Sequence, residues 1–90
     1  MPYMNILTWA PDKRDAVIER AKKMGMEHEG IKVIGTWVDV NGGRVFQLSE
    51  EPADPKFSLK ANFAWNDLLH IEAVPVMKAE KFLPLLESMK

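Results

Sequence analysis

Asn41-Gly42-Gly43 separates two strand-like runs, residues 31–40 and 44–50, and its reading decides the fold. Asn-Gly adopts positive φ at little steric cost, so it favours the tight primed turn that joins antiparallel strands. A two-residue turn here sets Asp39 opposite Arg44, Trp37 opposite Phe46 and Gly35 opposite Leu48. Strand side chains alternate between faces. Val33, Trp37, Phe46 and Leu48 are therefore expected on one face, and Ile34, Thr36, Val38, Val45, Gln47 and Ser49 on the other.

Working outward, residues 3–9 are rich in aliphatic and aromatic side chains and predict a first strand. Pro11 and Asp12 open a helix whose apolar stripe is Val17, Ile18, Ala21 and Met24, with Gly25 as its stop. Residues 26–30 form a polar connection to the hairpin. After it, Glu51-Pro52-Ala53-Asp54-Pro55 breaks the chain, with Asp54 as N-cap and Pro55 in the first turn of a second helix. That helix is expected to run to Trp65 or Asn66, with Leu59 and Phe63 on one side and Ala61, Ala64 and Leu68 nearby. Residues 69–76 predict a fourth strand, placed at a sheet edge or bulged because Pro75 lacks a ladder donor. Residues 78–89 predict a terminal helix, kinked or divided by Pro84. The order β-α-β-β-α-β plus a helix specifies an α+β, ferredoxin-like plan. In it, one four-stranded antiparallel sheet carries both main helices on one face, in a single domain over residues 1–90.

Ninety residues bury only about 60–65% of their unfolded surface, so the core is modest. Yet 47% of the residues are hydrophobic, an excess that points to a second covered surface in a homo-oligomer. The net charge of −1, with acids and bases interspersed, gives no footprint for nucleic acid and no polybasic membrane segment. Absence of cysteine excludes disulfide scaffolds, iron–sulfur clusters and thiol nucleophiles. With no apolar run long enough for a membrane and no signal-peptide pattern, a cytoplasmic protein is expected.

In the outer strands, Met4, Ile6 and Thr8 oppose Tyr3, Asn5, Leu7 and Trp9, while Leu69, Ile71 and Ala73 oppose His70, Glu72 and Val74. Assigning the more apolar sets to the helices leaves a mixed open face. It holds Asn5, Trp9, Thr36, Val38, Val45, Gln47, His70, Glu72 and Val74. Such a face predicts a partly polar cavity closed by a second subunit, suited to a small apolar or aromatic ligand.

The chain resembles a family of small bacterial and archaeal proteins of unknown function. The likeness is carried by Thr36-Trp37-Val38-Asp39, by Gly42-Gly43-Arg44-Val45-Phe46-Gln47-Leu48-Ser49-Glu50, by Trp65-Asn66-Asp67-Leu68 and by Ile71-Glu72-Ala73-Val74-Pro75-Val76. That family is similar to the dimeric α/β-barrel superfamily. The resemblance implies a homodimer in which two sheets pack open face to open face around a pocket; it supplies no catalytic residue. The wider superfamily includes cofactor-independent monooxygenases and haem-degrading enzymes. The latter use an asparagine, a tryptophan and a histidine in the order of Asn5, Trp65 and His70. Here His70 falls on the fourth strand, too close to Trp65, so haem ligation is not carried over.

His70 and Glu72 lie two apart on a strand and share a face, so the carboxylate can orient the imidazole as a general base. The alternative is a polar pair at a dimer seam, and one His-x-Glu falls short of a metal site. His28, between Glu27 and Glu29, reads as a solvated loop histidine. Gln47, on a central strand, must find hydrogen-bond partners once covered, from a ligand, from buried water or from a glutamine or threonine of the partner subunit. Asn5, Trp9, Thr36, Trp65 and Glu72 complete the candidate ligand-binding set, and Trp37 reads as packing. No cofactor or metal is expected. Three functions compete: a small-molecule-binding homodimer, a cofactor-independent monooxygenase or proton-transfer enzyme using His70 with an oxyanion stabilised by Asn5 or Gln47, and a purely structural interaction module.

Overall fold

The computed structural model describes residues 2–90. Strand β1 (Pro2–Thr8) leads through a 3-10 turn (Pro11–Lys13) into helix α1 (Arg14–Met24). The hairpin β2 (Lys32–Val38) and β3 (Arg44–Glu50) follows, then α2 (Pro55–Trp65), β4 (His70–Pro75) and α3 (Ala79–Ser88). The four strands form one antiparallel sheet in the order β2-β3-β1-β4. This is the ferredoxin-like arrangement expected from the element order. β4 is an edge strand, the position that tolerates Pro75.

Local chemistry explains the boundaries. Gly25 ends α1 at φ 71°, and its N–H donates to the Ala21 carbonyl at 2.8 Å. Asp54 caps α2 by accepting the Lys56 N–H at 3.0 Å, ahead of Pro55. Helix α3 is one helix with Pro84 inside it rather than two pieces.

The hairpin keeps its expected register but turns differently. Trp37 faces Phe46 and Thr36 faces Gln47, as predicted. The turn, however, runs from Asp39 to Gly42, whose N–H donates to the Asp39 carbonyl at 2.8 Å. Asp39 Oδ1 also accepts the Asn41 N–H at 2.9 Å, so the carboxylate shapes the turn from within. Positive φ is taken by Gly42 (85°) and Gly43 (88°), not by Asn41. Asp39 and Arg44, set opposite each other by the hairpin, form an ion pair, with Arg44 Nε 3.2 Å from Asp39 Oδ2. The Asn41 N–H first, and Arg44 second, hold the Asp39 carboxyl below its ordinary value.

Two expectations about the sheet faces are corrected. Val33 faces Ser49 whereas Gly35 faces Leu48, so an irregularity in β2 between them moves Val33 off the face of Trp37. More consequentially, the helices cover the set containing Asn5, Leu7, Val45, Gln47 and Ser49, all buried. The more apolar set of Met4, Ile6, Phe46 and Leu48 lies on the other side. Ile71 pairs with Leu7 and joins the covered side, while His70, Glu72 and Val74 pair with Thr8, Ile6 and Met4 on the open side. Apolarity misled here because both sets are largely apolar and differ by only a few side chains. The polar covered set is tolerated because its members satisfy each other, Asn5 Nδ2 donating to Ser49 Oγ at 2.8 Å and to the Gln47 carbonyl at 3.4 Å.

The core is Leu7, Val17, Val45, Trp65 and Leu69, with Trp9, Ala21, Met26, Ala64, Leu68 and Ile71 against it. Helix α2 presents Ala61, Ala64 and Trp65 inward. Leu59 and Phe63, on the other side of the helix, are exposed, Phe63 by 70%. Arg20 of α1 grips the far end of α2. Its guanidinium meets Asp67 through Nη1–Oδ1 at 2.6 Å and Nη2–Oδ2 at 2.8 Å, donates to the Ala64 carbonyl at 2.9 Å, and sits 5.8 Å from the Trp65 ring centre.

That clamp gives a pH dependence with a definite sign. The hydrogen bond from Arg20 holds the Asp67 carboxyl below its ordinary value of 3.8. A depressed carboxyl stabilises the fold above the unfolded-chain value, and the contribution disappears as pH falls through the folded one. Stability is therefore expected to drop on acidification below 3.8. Asp67→Asn should flatten part of that drop in thermal melts taken across the acid range. Identical acid limbs for the two proteins would refute the clamp's role.

Helix α3 is exposed along its whole length, including Phe82, Leu83, Leu85 and Leu86. The radius of gyration is 15.1 Å, against about 12 Å for a compact chain of this length. The exposed area is 6652 Å²; a compact monomer of 10.3 kDa exposes about 5,400 Å².

Candidate functional site

The covered face of the sheet does not meet α2 tightly everywhere. A cavity of about 50 Å³ remains, open at one side, floored by Asn5, Leu7, Gln47 and Ile71 of the sheet. Its roof is Ser58, Ala61, Asn62 and Trp65 of α2; its flank is Met26, His28 and Ile31 from the connection after α1, with Val33 and Glu51 completing it. The connection is pressed onto α2 at Gly30, which has φ 80° and where a Cβ would come within 2.6 Å of the Phe57 ring. Glycine thus permits both the backbone turn and the close approach.

Most polar side chains in the lining are held by protein partners. Gln47 Nε2 donates to Thr36 Oγ1 at 3.2 Å and to the Met26 carbonyl at 3.4 Å. Asn5 Nδ2 is held by Ser49 Oγ and the Gln47 carbonyl. Because main-chain carbonyls only accept, these contacts fix which end of each amide is nitrogen. Ser58 Oγ donates to Glu51 Oε2 at 3.2 Å. The Trp65 indole N–H donates to His28 Nε2 at 3.1 Å. Indole has no acceptor, so Nε2 carries the lone pair and Nδ1 the hydrogen in this arrangement. Among the described residues, no fully buried side-chain polar atom lacks a partner.

The candidate residues therefore divide. Asn5, Gln47 and Trp65 come together in the cavity. Thr36 stands behind them as a hydrogen-bond acceptor for Gln47, and Trp9 packs on the core. His70 and Glu72 are exposed on the opposite face of the sheet and do not line the cavity. The shared face of Asn5, Gln47 and His70 expected from the sequence does not form. The alternation of β4 was read correctly, but its register against β1 places the odd-numbered Ile71, not His70, beside Leu7.

His28, Glu51, Ser58 and Asn62 were not foreseen as one group. His28 read as a solvated loop residue; it is half-buried and bonded to Trp65 across 37 positions of sequence. The available signal was the short polar connection of residues 26–30, which must pass near the second helix to reach β2. About 50 Å³ is well short of the roughly 150 Å³ of a cavity that accepts benzene. Among the described residues, no three histidine or acidic side chains converge as metal ligands. No helix there is long and apolar enough to cross a membrane.

Comparison with known proteins places the chain in a family. It belongs to the domain of unknown function DUF3303, whose pattern matches residues 1–90. No curated protein and no solved structure matches it.

Proposed function

We propose that this domain binds a small polar molecule in the cleft between the sheet and α2. The observation that carries the reading is the burial of Asn5, Gln47 and Ser49 within the helix-covered layer, beside a cavity, where apolar side chains would pack at less cost. Sheet face and helix together offer apolar walls with a few fixed polar groups, the usual make-up of a small-molecule site, though on a scale well below a drug-sized pocket.

Gln47→Leu separates binding from packing. Leucine at this position leaves the Thr36 hydroxyl and the Met26 carbonyl without their donor, which costs about 1–3 kcal/mol. The expected result is a protein that still folds, with a lower melting temperature, and has lost binding. Small polar fragments should shift the Trp65 indole and Asn5 amide resonances of the wild type, and not those of the variant. A large stability loss, with no fragment bound by the wild type, would assign Gln47 to the architecture alone.

A second reading has its own support. The chain exposes about 1,300 Å² more than a compact monomer of its mass, above the roughly 800 Å² each partner covers in a standard interface. The open face carries Met4, Ile6, Trp37, Phe46, Leu48 and Val74, with Trp37 exposed by 54%. We propose that a second copy covers it, sheet against sheet, in the manner of a dimeric α/β barrel. The cleft is then part of each protomer, not of the seam.

A further inference from the structure

We infer that the cleft accepts the head of a small protonated amine, such as an alkylammonium or amino alcohol, and rejects anions of the same size. This rests on the binding reading above and adds the charge and polarity of the ligand. Charge comes first. Among the described residues, Glu51 is the one formally charged side chain in the lining, with no lysine or arginine beside it there. Oε2 of Glu51 takes the Ser58 hydroxyl hydrogen, which leaves Oε1 as an ionic acceptor at the rim.

Hydrogen-bond polarity points the same way. The nitrogens of the Asn5 and Gln47 amides are engaged by protein acceptors, so their uncommitted ends are the oxygens Oδ1 and Oε1. Both residues line the cavity. Their oxygens are not sealed off, because no fully buried side-chain polar atom among the described residues is unpartnered. Ser58, having donated to Glu51, presents only lone pairs. Against these acceptors stand the Nδ1 hydrogen of His28 and the Asn62 amide, which can act either way. An ammonium group carries three donors and no acceptor on a compact charge. Acceptors outnumber donors, and the charge is negative.

Size sets the rest. About 50 Å³ admits an ammonium with one or two carbons, far short of the roughly 150 Å³ that holds a benzene ring. Any longer tail leaves through the open side.

The test is a titration of the isotope-labelled full chain with methylammonium, ethylammonium, acetate and ethanol, following the Asn5 and Gln47 side-chain amides and the Trp65 indole N–H. Saturable shifts are expected with the two ammonium ions and not with acetate. Glu51→Gln, at a half-exposed position, should weaken ammonium binding about tenfold, the effect of one charge-assisted contact, and leave ethanol unaffected. Acetate binding as tightly as methylammonium, or an unchanged ammonium affinity in Glu51→Gln, overturns the inference. If ethanol binds and ammonium does no better, the cleft is a site but its ligand is neutral. If no probe moves these resonances, the binding reading falls as well.

Discussion

Trp65→Ala is expected to remove about 3–5 kcal/mol of folding stability, as for other large aromatic truncations in cores. Trp65 is 2% exposed and is the largest side chain fully enclosed by the fold. Its ring fills the junction of α1, α2 and the sheet, touching the cluster of Leu7, Val17, Val45 and Leu69. A domain of 90 residues is stable by roughly 5–13 kcal/mol in total, so this one change consumes a large share. Two further losses accompany the void. Arg20 loses the ring it rests on, and His28 loses the donor that ties the flank of the cleft to α2. Trp65→Phe separates these effects, because it keeps much of the packing and deletes the N–H. Urea unfolding of both variants is the measurement. The alanine protein should unfold at a far lower midpoint than the phenylalanine protein, and the latter should show faster hydrogen exchange over residues 26–31. A loss below about 1 kcal/mol in Trp65→Ala would mean that the ring does not hold the core together.

The architecture was legible because its punctuation is chemical. Gly25, Asp54 with Pro55, and the two glycines after Asn41 each satisfy a backbone requirement, and each marks an element boundary in the structure. The hairpin register was legible for the same reason, although Asp39 rather than Asn41 organises the turn. Sidedness was not legible. Period-2 alternation says which residues share a face, but not which face the helices take; here hydrophobicity favoured the wrong one. The difference between the sets is a few side chains, and the network of Asn5, Ser49 and Gln47 removes the penalty that the choice relied on. Half of the candidate site followed from sound local reasoning: Gln47 on a central strand does need partners, and it has them. The other half depended on contacts between distant segments. Residues 26–30 indicate only a connection passing near α2, not that His28 meets Trp65, and nothing in the alternation of β4 sets its register on β1. The irregularity between Val33 and Gly35 was hidden as well, because a glycine in a strand signals one only weakly.

If the open face is the seam between two copies, Trp37→Asp should convert a particle of twice 10.3 kDa into one of 10.3 kDa in sedimentation equilibrium. The argument is one of desolvation. Trp37 lies over Gly35, where a Cβ would come within 2.6 Å of its ring, so the indole is spread flat along β2. It is still 54% exposed, with Phe46 directly opposite it on β3. An aromatic side chain at the middle of an apolar face is the type that dominates an interface, contributing about 2–4 kcal/mol, or some 30- to 1,000-fold in dissociation constant. Aspartate at that point also forces a carboxylate into the seam twice over, once from each copy, by the symmetry of a two-fold contact. The fold itself should survive, because Trp37 is absent from the core formed by Leu7, Val17, Val45, Trp65 and Leu69; an unchanged melting curve at low protein concentration checks this. Leu83→Asp on α3 is the companion variant. Association lost in Leu83→Asp and kept in Trp37→Asp would place the seam on α3, whose Phe82, Leu83 and Leu86 are equally bare. A wild-type chain that sediments as a monomer across the accessible concentration range would refute self-association outright, yet leave the cleft intact, since every residue lining it comes from one protomer.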